Sequence, residues 1–300
     1  MNPDYTPRRQ GVGRFVAVRG LQIHLVQWGQ PQPGRPLRLM THGFMDVGAS
    51  FQFVVDAMAG EHCVVAPDWR GFGRTQSPPG TDAYWFADYL GDLDALLDAL
   101  SPAAPVDLLG HSMGGNIAMA YAGVRPHRVR RLVNLEGFGM PDIAPAEAPA
   151  RLAQWLDELK TPQRLKDYAS LAEVAARLQR NNPRLSADKA RWLAGQWAEL
   201  QSDGRWALRA DAAHRRVNPI PYRAAEAVAC WRAISAPLLW VQARDSRPDS
   251  HWGGRYSQAE FQTRLAQVPD VRQVQIDDAG HMLHHDQPEA VARAVSAFWD

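Results

Sequence analysis

Three residue types at telling positions suggest chemistry in this 300-residue chain: a serine between glycines, a histidine on a late loop, and carboxylates near strand ends. Gly110-His111-Ser112-Met113-Gly114 fits G-x-S-x-G, a strained strand-to-helix turn that exposes a serine hydroxyl at the top of a sheet. Val106, Leu108 and Leu109 before it read as a buried strand, and Gly114, Gly115, Ala118 and Ala120 after it as a helix able to lie close to that sheet. A serine hydroxyl is a weak nucleophile at neutral pH. It needs a base to take its proton and a carboxylate to orient that base.

His281 is the best base, because it follows Gly280 directly after the last expected strand and precedes the closing helix. His284 and His285 read as surface loop histidines. The order serine, acid, histidine expected for this turn puts the carboxylate between residues 112 and 281. Asp245, just beyond the strand expected at 237–242, is the preferred acid. Glu136, just beyond the strand expected at 129–135, is the competing position, and Asp249 comes third. A tetrahedral intermediate also needs fixed donors for its oxyanion. The backbone N–H of Met113 is one. The loop His42-Gly43-Phe44, after the strand ending at Thr41, offers the N–H of Phe44 as the second, with His42 bracing the loop.

These residues must be carried by a framework, and the pattern supplies one. A hairpin over 15–28 with Arg19-Gly20 at its turn is followed by strands at 37–41 and 62–67, and helices at 50–59 and from Asp82 to Leu100. Strands return at 237–242 and 271–276, and Gln287 to Trp299 forms a closing helix. Between about Gly137 and Pro237 the strand pattern disappears. Helices at 150–159, 171–179 and 186–200 replace it, with Trp155, Trp192, Trp197 and Trp206 among them. Each tryptophan suits either an apolar substrate tunnel or the segment's own small core. Alternating strands and helices imply a mostly parallel sheet flanked by helices, with an inserted helical cap. The expected core domain is 1–137 with 232–300, and the cap is 138–231.

Composition narrows the function. A formal net charge of +1 without a basic block argues against nucleic acid. Cys63 and Cys230 read as separate buried thiols. The first ten residues lack a signal-peptide core, and no run reaches membrane-span length, so a soluble cytoplasmic protein is expected. No phosphate loop, dinucleotide motif or metal-ligand set is evident, which implies no cofactor.

His42-Gly43, Asp68-Trp69-Arg70-Gly71-Phe72-Gly73, Gly110 to Gly115, Asp245 and Gly280-His281 occur in the order of a known family. The chain resembles the capped α/β-hydrolases related to esterases, epoxide hydrolases and haloalkane dehalogenases. Leu132 to Gly139 looks like a serine-hydrolase-like subgroup. The resemblance implies an α/β-hydrolase fold, with substrate choice set by the cap. Relatives with dehalogenase or epoxide-hydrolase activity carry an aspartate nucleophile, so Ser112 argues against both. The expected activity is hydrolysis of a carboxylic ester with a small to medium apolar acyl group. Hydrolysis of a carbon–carbon bond by the same triad is the alternative. The expected partner is a small-molecule substrate.

Overall fold

The computed structural model describes residues 4–300. Strands β1 (Val12–Val18), β2 (Leu21–Trp28), β3 (Arg38–Thr41), β4 (Val64–Pro67), β5 (Val106–His111) and β6 (Val129–Leu135) come first. A short hairpin of β7 (Ala198–Leu200) and β8 (Trp206–Leu208) follows, then β9 (Leu238–Ala243) and β10 (Val271–Ile276). Eight strands form one sheet in the order β1-β2-β4-β3-β5-β6-β9-β10. The β1/β2 and β2/β4 pairs are antiparallel and the rest parallel. Every residue of β3, β4 and β5 is buried, as strands covered on both faces must be.

Helices α1 (Gln52–Ala57), α2 (Phe86–Leu100) and α3 (Met113–Val124) lie within the first half. Between β6 and β9 the chain leaves the sheet and builds α4 (Ala148–Leu159), α5 (Leu171–Asn181), α6 (Ala187–Trp197), the hairpin and α7 (Ala224–Arg232). The last part carries α8 (Pro248–His251), α9 (Gln258–Leu265), α10 (Leu283–Asp286) and α11 (Pro288–Trp299). Among the described residues no helix is long and apolar enough to cross a membrane.

Apolar cores fill both faces of the sheet. One contains Leu93, Leu97, Ile117, Leu132, Trp231 and Phe261, and the other Phe51, Val54, Leu239, Val291 and Val295. The inserted segment has its own core around Val174, Leu178, Leu193 and Ala194, joined by Phe53 from α1. Trp192, Trp197 and Trp206 pack against that core.

Two local expectations are corrected. The helix expected from Asp82 begins only at Phe86. The turn before it is held out of helical form by Tyr84, whose hydroxyl bonds Asp211 at 2.6 Å and whose ring stacks on His214 at 3.5 Å. The helix expected over 186–200 stops at Trp197, because Ala198–Leu200 pairs antiparallel with Trp206–Leu208. The insertion is therefore not purely helical.

Candidate active site

Ser112 sits between β5 and α3 with φ 52° and ψ −117°. A non-glycine residue in that region stores about 1–3 kcal/mol of strain and persists only where its surroundings enforce it. Glycines allow the enforcement. A Cβ on Gly110 would lie 2.3 Å from the Gly114 carbonyl oxygen, and one on Gly114 would lie 2.3 Å from that of Thr41. The helix thus starts against the ends of β3 and β5, and its first amide, that of Met113, sits beside the nucleophile. Unbonded N–H groups in a first helical turn favour negative charge.

His281 approaches from the loop between β10 and α10. Its Nε2 is 3.0 Å from Ser112 Oγ. On the other side, Nδ1 is 3.3 Å from Oε2 of Glu136. The Glu136 carboxylate has no exposed surface, whereas the His281 side chain is 31% exposed. Glu136 Oε1 accepts the N–H of Ala243 at 2.7 Å. Glu136 also has a positive φ, 61°. That turn is shaped by Asn134, whose Oδ1 accepts the Gly137 N–H at 2.9 Å and whose Nδ2 donates to the Gly137 carbonyl at 3.1 Å.

The preference for Asp245 over Glu136 is corrected by this geometry. The Asp245 side chain is 47% exposed and pairs with Arg184 at 2.6 Å, and Asp249 accepts the N–H of Gln258 at 2.8 Å. The structure brings together Ser112, His281 and Glu136, not Ser112, His281 and Asp245. Chain order is unchanged, because the ends of β6 and β9 are neighbours and either can face the His281 loop. The signals in the sequence were Asn134 and Gly137 around Glu136: a side chain able to close a turn, and a residue without a Cβ. A Cβ on Gly137 would lie 2.5 Å from Asn134 Oδ1 and 2.9 Å from the Ser112 carbonyl oxygen.

The loop His42-Gly43-Phe44 abuts the nucleophile, since a Cβ on Gly43 would be 3.2 Å from Ser112 Cβ. His42 is fully buried and braces this loop. Its Nδ1–H donates to the Gly43 carbonyl at 2.8 Å, and its Nε2 accepts the Trp69 N–H at 2.9 Å. Burial lowers the His42 pKa and so favours the neutral ring. Asp68 ties the next turns together, accepting Gly48 N–H at 2.7 Å, Arg74 N–H at 2.9 Å and His24 Nδ1–H at 2.8 Å. The D-x-R-G-x-G stretch is therefore a structural support. Phe44, next to Gly43, is 52% exposed.

The inserted segment contacts both the Phe44 loop and the His281 loop. His214 stacks between Phe72 and Tyr84 and meets Phe44 edge-on at 5.9 Å. Arg184 lies against the His281 loop, 3.2 Å from where a Cβ on Gly280 would be. Trp197 Nε1–H donates to Ser50 Oγ at 3.0 Å.

A serine on such a turn, bonded to a histidine that is bonded to a buried carboxylate, on a sheet of this order, is the arrangement of a hydrolase. The chain belongs to the alpha/beta hydrolase fold family, whose pattern matches residues 39–288. It is 31% identical to the 3-hydroxybutyrate-oligomer hydrolase of Cupriavidus necator, over 97% of each chain. It is 36% identical to the 2-hydroxy-6-oxo-2,4-heptadienoate hydrolase of Pseudomonas putida, over 43% of this chain and 46% of that one. Among solved structures, the thioesterase domain from the curacin biosynthetic pathway superposes with a TM-score of 0.82 at 26% identity, covering 96% of this chain and 99% of that one.

Proposed function

We propose that the protein hydrolyses carboxylic esters of small to medium acyl groups through an acyl-enzyme on Ser112. The observation that carries this is the line of contacts from Ser112 Oγ through His281 to the buried Glu136. In the reaction, Ser112 Oγ attacks the acyl carbon while His281 Nε2 takes its proton. The oxyanion is met by the N–H groups of Met113 and Phe44. His281 then protonates the departing alkoxide, leaving the acyl group on Ser112. Water, deprotonated by His281, attacks that acyl carbon; the bond from the acyl carbon to Ser112 Oγ breaks, His281 returns the proton to Oγ, and the acid leaves. Glu136 holds the Nδ1–H tautomer and balances the imidazolium charge.

Residues 138–231 act as the cap, and the acyl pocket lies between it and the loop carrying Phe44 and Met45. The full-length similarity to a 3-hydroxybutyrate-oligomer hydrolase favours short oligoesters of hydroxy acids as the first natural substrates to try. Carbon–carbon hydrolysis ranks second, because the similarity to the 2-hydroxy-6-oxo-2,4-heptadienoate hydrolase spans less than half of the chain.

The test is turnover of p-nitrophenyl esters of increasing acyl length and of 3-hydroxybutyrate dimer and trimer, with Ser112→Ala in parallel. Turnover by the parent alone is expected. Equal turnover by Ser112→Ala overturns the proposal. Labelling of Ser112 by a fluorophosphonate without turnover of any ester would move the assignment to the carbon–carbon hydrolase.

A further inference from the structure

Directly behind the nucleophile lies a group of side chains that ester hydrolysis does not use. His111 ends β5, Asp46 belongs to the loop after β3, and His284 and His285 lie in α10. Their exposures are 1%, 3%, 0% and 4% in that order, so His284 and His285 are buried helix residues and not the surface loop histidines expected. One ligating atom from each of Asp46, His111 and His284 lies within 4.8 Å of the other two.

Each of the three has an atom free to face the others. His111 Nε2–H donates to the backbone carbonyl of His281 at 2.8 Å, so Nδ1 carries the ring's lone pair. Burial and the imidazoles of His284 and His281 keep the His111 pKa well below its ordinary value, which keeps the ring neutral. Asp46 Oδ1 accepts the Val47 N–H at 2.8 Å and also the Ser50 hydroxyl. Its Oδ2 stands 3.8 Å from His284 Nε2, beyond hydrogen-bond reach. His111 Nδ1, Asp46 Oδ2 and both nitrogens of His284 are buried without a hydrogen-bond partner among the described residues.

Such atoms cost about 1–3 kcal/mol each when left unpaired. Three of them, one from each side chain, converge, and a single shared partner would satisfy those three. Two imidazoles and a carboxylate suit zinc and neighbouring divalent transition ions better than magnesium or calcium. Adjacent ligand atoms around tetrahedral zinc are ~3.3 Å apart, given bonds of about 2.0–2.1 Å, so a modest contraction closes the site. The outer contacts have the form that orients metal ligands: an imidazole donating its other N–H to a backbone carbonyl, and a carboxylate held by N–H and O–H donors.

We propose that Asp46, His111 and His284 form a site for a divalent transition-metal ion of the zinc class. The ion would sit behind the oxyanion loop, away from the substrate. It would share His111 with the backbone of the catalytic histidine. An effect on turnover rests on the proposed ester hydrolysis, whereas binding does not.

The test uses untagged protein stripped with a chelator, then titrated with Zn²⁺ by calorimetry and with Co²⁺ by visible absorption. Because the site is buried, the same measurements follow refolding from denaturant with the ion present. One ion per chain is expected, with Co²⁺ bands of four- or five-coordinate nitrogen–oxygen ligation. Asp46→Asn and His284→Gln should each weaken binding at least ~10-fold, the scale on which even outer-shell changes act. Ser112→Ala should bind as the parent does, whatever its activity. The proposal is overturned if refolded protein retains no ion, or if both variants bind as tightly as the parent. Should neither variant fold, only octahedral Co²⁺ bands in the unmodified protein would equally overturn it.

Discussion

Asn134 grips Gly137 by both ends of its amide, at 2.9 and 3.1 Å, and Glu136 is carried on the turn between them. Asn134→Ala removes both bonds and strands a buried N–H and C=O, which costs about 1–3 kcal/mol for each group left unpaired. Glu136 is then free to leave its positive φ and its contact with His281. The expected result is a lower urea midpoint together with a fall in kcat larger than any rise in KM. An unchanged kcat in the folded variant would show that the clamp does not position the carboxylate.

Glu136→Gln should lower kcat by about 10³–10⁴-fold, the scale seen when an orienting carboxylate is neutralised in such a triad. Asp245→Asn breaks only a half-exposed ion pair with Arg184 and should change kcat less than ~3-fold. Steady-state kinetics on one p-nitrophenyl ester ranks the two. The reverse order would return the acid to Asp245.

The contrast between these carboxylates marks what the chain made legible. Ser112 and His281 stand in contiguous motifs, so their neighbours alone locate them. The acid could come from the end of β6 or of β9, and residue type cannot decide between adjacent parallel strands. The deciding contacts, Asn134 with Gly137 and Ala243 N–H with Glu136, are a tight turn and a pairing across the sheet. The eight-stranded sheet followed from hydrophobic runs. The β7–β8 hairpin did not, because three-residue strands leave no periodic signal and Trp197 continues the preceding helical face. Asp46, His111 and His284 are still harder to group, since only the folded chain makes neighbours of β3, β5 and α10.

Gly114→Ala tests the close approach of α3 to the sheet. The added Cβ would sit 2.3 Å from one backbone oxygen, that of Thr41, and 2.6 Å from another, that of His42. Backbone has little room to yield, so a loss of about 3 kcal/mol or more is expected, at the upper end of overpacking effects. Thermal or urea unfolding reads it. Gly195→Ala has nothing within 4 Å of the new Cβ and serves as the comparison. Lying inside α6, it should gain a few tenths of a kcal/mol up to about 1 kcal/mol.

Acid should loosen the contact between the insertion and the rest of the chain. Burial between Phe72 and Tyr84 lowers the His214 pKa from 6.5 to about 4. Above pH 6.5 the ring is neutral in both folded and unfolded chains, and it makes no pH-dependent contribution. Between that value and about 4 the unfolded chain binds the extra proton, so stability falls as pH falls. The full penalty, about 3 kcal/mol, is reached below the folded value. His214→Phe keeps the stack and removes the proton site. The difference between parent and variant in urea stability should therefore change between neutral pH and about pH 4.5. A constant difference would count against the buried neutral ring.

Setting the carboxylate on β6 divides labour between two neighbouring strand ends. The chain after β9, from Asp245 through α8, carries no part of the proposed proton relay, yet it borders the site: His251 lies 5.3 Å from the His281 ring. Substitutions and insertions there would reshape what reaches the serine without disturbing how the serine is activated. That segment is consequently the place where selection, natural or in the laboratory, can redirect this scaffold toward new substrates at the least catalytic risk.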